Sequence, residues 1–136
     1  MVIHLDAAFV IDLLREQARG RPGPALDWIE AADENDTVAI SVHVVCELRV
    51  GAELARQPVK EHEALDDLLS AMLMVYPDDR FAAQYGRTLA ALHRMKKTMA
   101  TMDLLIATAA LLDDAPLVTR NLRDFSRVPG LRLIRY

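Results

Sequence analysis

Three acidic residues interrupt strongly apolar stretches of the chain. They are Asp6 in Ile3-His4-Leu5-Asp6, Glu47 in Val44-Val45-Cys46-Glu47-Leu48, and Asp103 in Thr101-Met102-Asp103-Leu104-Leu105-Ile106. An unpaired carboxylate is costly to bury in such surroundings. A divalent cation removes that cost, and an all-oxygen donor set suits Mg²⁺ or Mn²⁺. Asp124, with Asn121 three residues before it, adds a further acid. Taken singly, each acid has a plainer explanation. Asp6 suits a helix N-cap, Asp103 the positive end of a helix, and Asn121 with Asp124 a capping pair. Glu47 alone would pass for a surface glutamate. It is their joint occurrence in apolar sequence that points to a metal site. The 4 histidines show no zinc spacing such as H-x-x-x-H.

These acids need elements to position them. Strand-like runs alternate with helix-like stretches, which predicts an α/β fold with a central parallel sheet of about four to five strands flanked by helices. Val2 to Leu5, Thr37 to Ile40, Leu73 to Tyr76, Leu117 to Thr119 and Leu131 to Ile134 read as strands. Phe9–Glu16, Ala25–Glu34, Val42–Ala55, a segment from Pro58 through Met72, Arg80–Arg94 and Met102–Leu112 read as helices. Ser41 and Thr101 are the expected N-caps of the third and last of these six. Gly20-Arg21-Pro22-Gly23-Pro24 is a breaker loop, and Asn121 to Phe125 a turn or short helix. Ligands of open α/β sheets bind beyond the C-terminal strand ends. Asp6 follows the first strand, Glu47 lies in the helix after the second, and Asn121 and Asp124 follow the fourth.

The bulk composition excludes several classes. At 136 residues and 52% hydrophobic, the chain fits one domain with one core, spanning residues 1–136. With 16 Lys and Arg against 20 Asp and Glu, the net charge of -4 excludes coating of nucleic acid by bulk attraction. The basic residues are nevertheless gathered, at Arg94-Met95-Lys96-Lys97 and at Arg120, Arg123, Arg127, Arg132 and Arg135. The single Cys46 excludes an internal disulfide and fits a cytoplasmic protein. The start lacks a cationic leader, and no apolar run approaches the ~18 residues of a membrane span.

The pattern resembles the PIN-domain ribonucleases, in particular the VapC-type toxins of bacterial toxin–antitoxin pairs. The matching stretches are Ile3 to Asp6 with Val10 to Leu14, then Ser41 to Gly51, Asp103 to Ala110, and Leu117 to Phe125. Each is weak alone, but their order and spacing span the chain. The resemblance implies that Asp6, Glu47 and Asp103 are the three core acids and Asp124 a more variable fourth. Thr119 and Asn121 would support them. It also implies an RNA substrate, a VapB-type antitoxin whose tail covers the cleft, and a homodimer. Leu13, Leu14, Trp28 and Ile29 are candidates for such contacts, although core packing is the favoured reading for them.

The reaction implied is hydrolysis of an RNA phosphodiester by a metal-activated water, leaving a 5′-phosphate. Arg94, Lys96, Lys97, Arg120 and Arg123 would attract the RNA backbone. One departure weighs against full activity. The family usually has a hydroxyl residue and then Asn or Ser after the first aspartate, and here Ala7 and Ala8 stand there. Loss of such support lowers metal affinity or activity by roughly 10–100-fold. The alternative is therefore a catalytically weakened or inactive binding module of the same fold. A phospho-acceptor or phosphatase domain with Asp6 as nucleophile ranks below both, because Ala8 denies it a second acid.

Overall fold

β1 (Val2–Leu5) is the middle strand of a five-stranded parallel sheet ordered β3-β2-β1-β4-β5. The computed structural model describes residues 1–136. β2 (Thr37–Ser41) and β4 (Leu117–Val118) flank β1, with β3 (Leu73–Val75) and β5 (Leu133–Ile134) at the edges. His4 is in register with Ala39 on one side and Leu117 on the other. The β1–β4 boundary is where the strand order reverses. The crevice it opens lies between the carboxyl ends of Leu5 and Val118.

The chain folds this way because the central strands are buried on both faces and are apolar there but for His4, whose ring bonds to Asp113 at 2.6 Å, and Ser41 at the end of β2. Ile3, Leu5, Ala39, Ile40, Leu117 and Val118 are all buried. Such buried strands require helices on both sides. α1 (Ala7–Arg19) supplies Phe9, Val10 and Leu13 to the core and ends at Gly20, whose left-handed backbone (φ 62°) is a residue type's ordinary C-cap solution. The Glu16 carboxylate then accepts from the backbone N–H groups of Ala25 (3.2 Å) and Leu26 (2.7 Å). It thereby caps α2 (Pro24–Ala31), whose Gly23 N-cap has no side chain of its own to offer. α3 (Val42–Glu53) starts at Ser41, whose hydroxyl accepts from Val44 N. α4 (Pro58–Leu69), α5 (Phe81–Arg94), α6 (Thr101–Leu112) and the short α7 (Leu122–Phe125) complete the layers. α6 is the most buried helix, with Leu104 and the whole run Ile106 to Ala110 inside. No helix is long and apolar enough to cross a membrane.

The expected elements all occur, with shifted ends. α2 stops at Ala31 rather than Glu34, and β5 is confined to Leu133–Ile134. Thr101 is not the cap of α6: Ala100 occupies the N-cap position and makes no side-chain cap bond, while Thr101 is already helical. Leu13 is buried, and Leu14, Trp28 and Ile29 are partly buried and pack against the same core cluster.

Leu5 is fully buried at the end of the central strand. Leu5→Ala is expected to remove about 2–5 kcal/mol of stability, read as a lowered urea midpoint at unchanged slope.

Candidate active site

The C-terminal edge of the sheet carries the polar groups. Asp6 is the first residue after β1, and its extended backbone makes it the N-cap of α1. The side chain is only 3% exposed, yet both oxygens are satisfied. Oδ1 accepts from the Phe9 N–H at 2.9 Å, and Oδ2 accepts from the Thr119 hydroxyl at 2.5 Å. Thr119 is fully buried just beyond β4, so this bond spans the crevice between the two strands. Ala7 and Ala8 give Asp6 no polar help. The backbone of its own helix and a hydroxyl from the neighbouring strand end do so instead.

Thr119, Arg120 and Asn121 reach three different acids. The Thr119 hydroxyl donates to Asp6 and also accepts from the Asn121 N–H at 2.9 Å. Arg120 forms an ion pair with Asp12 of α1 at 2.9 Å. The Asn121 amide donates to Asp124 Oδ2 at 3.1 Å. Asn121 and Asp124 are therefore joined side chain to side chain, and Asn121 makes no side-chain cap bond to α7. Asp124 Oδ1 is also 3.5 Å from the Arg127 guanidinium.

Glu47 projects from the second turn of α3 and Asp103 from the first turn of α6. Both are partly buried. The electrostatics connect them to Asp6. Burial pushes the Glu47 carboxyl above its ordinary range, and the charges of Asp103 and Asp6 push it further. Burial likewise raises Asp103, with Asp124 adding repulsion. Asp6 is raised by burial and by Asp103, against the lowering effects of its Thr119 and Phe9 hydrogen bonds and of Arg120. Asp6, Glu47 and Asp103 are thus each raised by burial and by a neighbouring negative charge. No three of them are yet drawn close enough to close around a single ion. The donor chemistry fits a hard dication, which these carboxylates would share only after side-chain movement. Buried threonine, asparagine amide and backbone donors hold the acids in the meantime.

The basic residues divide. Arg120 lies at the rim of the acidic group, close enough to lower Asp6. Arg94, Lys96, Lys97 and Arg123 are exposed, and no ion pair joins them to the acids. The loop holding Lys96 and Lys97 is nonetheless tied to α7, since Arg127 donates to the Thr98 carbonyl at 2.9 Å. Three participants carried no local signal in the sequence: Asp12, Tyr136, whose hydroxyl donates to Asp12 at 2.8 Å, and Arg127.

Beside Glu47 runs a groove of about 370 Å³ lined by Ile11, Leu14, Leu48, Ala52 and Leu65. It lies between α1, α3 and α4.

The sequence model of the PIN domain matches residues 3–131. The chain belongs to the PIN domain family. Among curated relatives of this PIN domain, Ribonuclease VapC2 of Rickettsia felis is 31% identical over 105 residues, covering 77% of this chain and 78% of the relative. Ribonuclease VapC2 of Haemophilus influenzae is 33% identical over 95 residues, covering 70% and 72% respectively. Among solved structures, VapBC2 from Rickettsia felis bound to a promoter DNA fragment superposes with a TM-score of 0.91 at 26% identity, over 100% of this chain and 99% of that one. The PIN fold expected from the sequence is the fold observed.

The raised acids have a consequence for stability. A carboxyl whose folded pKa exceeds its unfolded value binds more protons when folded. Its stabilising contribution is present at low pH and is lost as pH climbs above the ordinary values of 3.8 for Asp and 4.5 for Glu. Asp103→Asn removes one of the repelling charges. In metal-free buffer at neutral pH it is expected to melt about 2–4 °C above the unsubstituted protein. The difference should shrink toward zero as the solution is acidified through those values. A lower melting temperature for the variant at neutral pH would contradict the repulsion.

Proposed function

We propose that this PIN domain is a metal-dependent ribonuclease, the toxin of a toxin–antitoxin pair. The observation that carries the reading is the gathering of Asp6, Glu47, Asp103 and Asp124 at the crevice beside β1, where burial and neighbouring negative charge raise the first three. That electrostatic condition is the one a hard cation relieves. The ribonuclease relatives and the VapBC neighbours support the same class.

Asp6, Glu47, Asp103 and Asp124 would hold Mg²⁺ or Mn²⁺. When bound, the ion supplies a Lewis acid that lowers the pKa of a water and neutralises charge on a phosphoryl oxygen. The chain's own groups do the rest. Thr119 and the Phe9 N–H fix the Asp6 carboxylate, so that its remaining lone pairs face the crevice in one orientation. Asn121 does the same for Asp124. The burial of Asp6 and Thr119 keeps bulk water from competing with these contacts. Hydrolysis joins the water oxygen to phosphorus and returns a proton to the departing 3′-oxygen, leaving a 5′-phosphate. Arg120, with Arg123 and the Arg94, Lys96 and Lys97 cluster further out, would draw the RNA backbone toward acids that otherwise repel it.

The partners follow from the same class. A VapB-type antitoxin segment with apolar side chains would fit the groove beside Glu47 and so cover the site. A homodimer would use exposed apolar residues on the helices, among them Val50, Leu54 and Val59. The alternative of an inactive binding module rests on Ala7 and Ala8. The hydrogen bonds from Phe9 and Thr119 to Asp6 argue against it, because they replace the support those alanines lack.

The purified chain, freed of any partner, is expected to cleave structured RNA with Mn²⁺ and not with EDTA. Asp103→Asn should lower the rate at least 100-fold, in keeping with loss of a metal ligand. Cleavage that persists in EDTA or in Asp103→Asn would refute the acidic site. Full Mn²⁺ binding by calorimetry without any cleavage would favour the binding module.

A further inference from the structure

The two members of the Arg120–Asp12 pair differ sharply in exposure. The Arg120 side chain is 58% exposed, and ion pairs so open to solvent contribute little to stability. Asp12, by contrast, is a prepared seat. Its side chain is only 16% exposed, and the oxygen facing Arg120, Oδ2, also accepts from the Tyr136 hydroxyl at 2.8 Å. Tyr136 cannot wander. Its ring packs edge-on against Phe9 with centroids 4.7 Å apart, and Phe9 is in turn edge-on to Trp28 at 5.5 Å. Phe9 is also the residue whose N–H holds Asp6. One aromatic stack therefore fixes the acid of the crevice and the seat of the arginine together.

Arg120 uses one nitrogen of its guanidinium on Asp12 and makes no other polar contact with the protein. The group has five N–H donors in a planar fork that matches phosphate. Arg120 stands beside the crevice, because it directly follows Thr119, whose hydroxyl donates to Asp6, and it pairs with Asp12 on the helix that Asp6 caps. An exposed arginine ordinarily sacrifices rotamer freedom on meeting a ligand, and one already seated sacrifices less.

We propose that Asp12 and Tyr136 are positioning residues that seat the Arg120 guanidinium at the rim of the acidic crevice, where its free donors take a phosphate of the RNA backbone. This rests on the ribonuclease reading above. Asp12 does not touch RNA; it acts through Arg120.

The test is binding of a fluorescein-labelled RNA stem-loop by anisotropy at several salt concentrations. It uses the full chain carrying Asp103→Asn, with Mg²⁺ present, so that cleavage does not intervene. A phosphate contact is insensitive to base sequence, so the natural target need not be known. Arg120→Ala is expected to weaken binding about five- to tenfold and to reduce the slope of log affinity against log salt by about 1. Asp12→Asn should weaken it about three- to fivefold, and Tyr136→Phe about twofold. Adding Asp12→Asn or Tyr136→Phe to Arg120→Ala should cause no further loss, since both act through the arginine. Arg120→Lys should restore the salt slope but not the full affinity. If Asp12→Asn fails to fold, Tyr136→Phe with Arg120→Ala completes the same cycle. Tighter binding by Asp12→Asn would overturn the proposal, because Asp12 would then be competing with RNA for the arginine. Losses that add in the double variants would overturn it too. Should the Asp103→Asn protein bind no RNA at all, the ribonuclease reading fails with it. Firm binding that ignores Arg120, Asp12 and Tyr136 defeats this inference alone.

Discussion

Mutual repulsion among partly buried carboxylates is the constraint around which this molecule is arranged. Asp6, Glu47, Asp103 and Asp124 come from four separate elements, and the stretches around the first three are otherwise apolar. A sequence selected for stability alone would not place them together. Burial raises the carboxyl of each of the first three, and neighbouring negative charge raises it further. Under the proposed function that strain is relieved where a hard cation and a phosphate would meet, and the surrounding core holds it until then.

The topology explains how the crowding is tolerated. The reversal of strand order between β1 and β4 leaves a crevice that neither neighbouring connection fills. Asp6 enters it from one strand end and Thr119 from the other, and the bond between them closes its floor. The three residues Thr119, Arg120 and Asn121 then distribute a hydroxyl, a guanidinium and an amide among Asp6, Asp12 and Asp124. Short polar side chains following a buried strand thus do the work that a run of polar residues after Asp6 would otherwise share. The most apolar helix, α6, carries Asp103 in its first turn, so the acid is anchored by a buried helix.

Much of this was legible in the residues because the signals are local. Val2 to Leu5 is a short apolar run closed by an acid, and it is β1 with Asp6 behind it. Ser41 reads as a cap and is one. What could not be read depends on pairs distant in the chain. Ala7 and Ala8 suggested an unsupported Asp6, yet its support comes from Thr119, 113 residues away. Nothing local to Asp12 announces its role, and its partners Arg120 and Tyr136 lie beyond any periodic pattern. Thr101 has the chemistry of a cap, but the chain enters α6 one residue sooner, through Ala100. Side-chain chemistry and period specify elements; the partner of a buried polar atom is decided by the packing of whole layers.

The most direct measurement of the central claim is carboxyl-detected NMR titration of Asp6, Glu47 and Asp103, first without divalent ions and then with saturating Mg²⁺. The account predicts that all three titrate above their ordinary values in the metal-free protein and that Mg²⁺ drives all three downward together. Ordinary, independent titrations that Mg²⁺ leaves unmoved would contradict it.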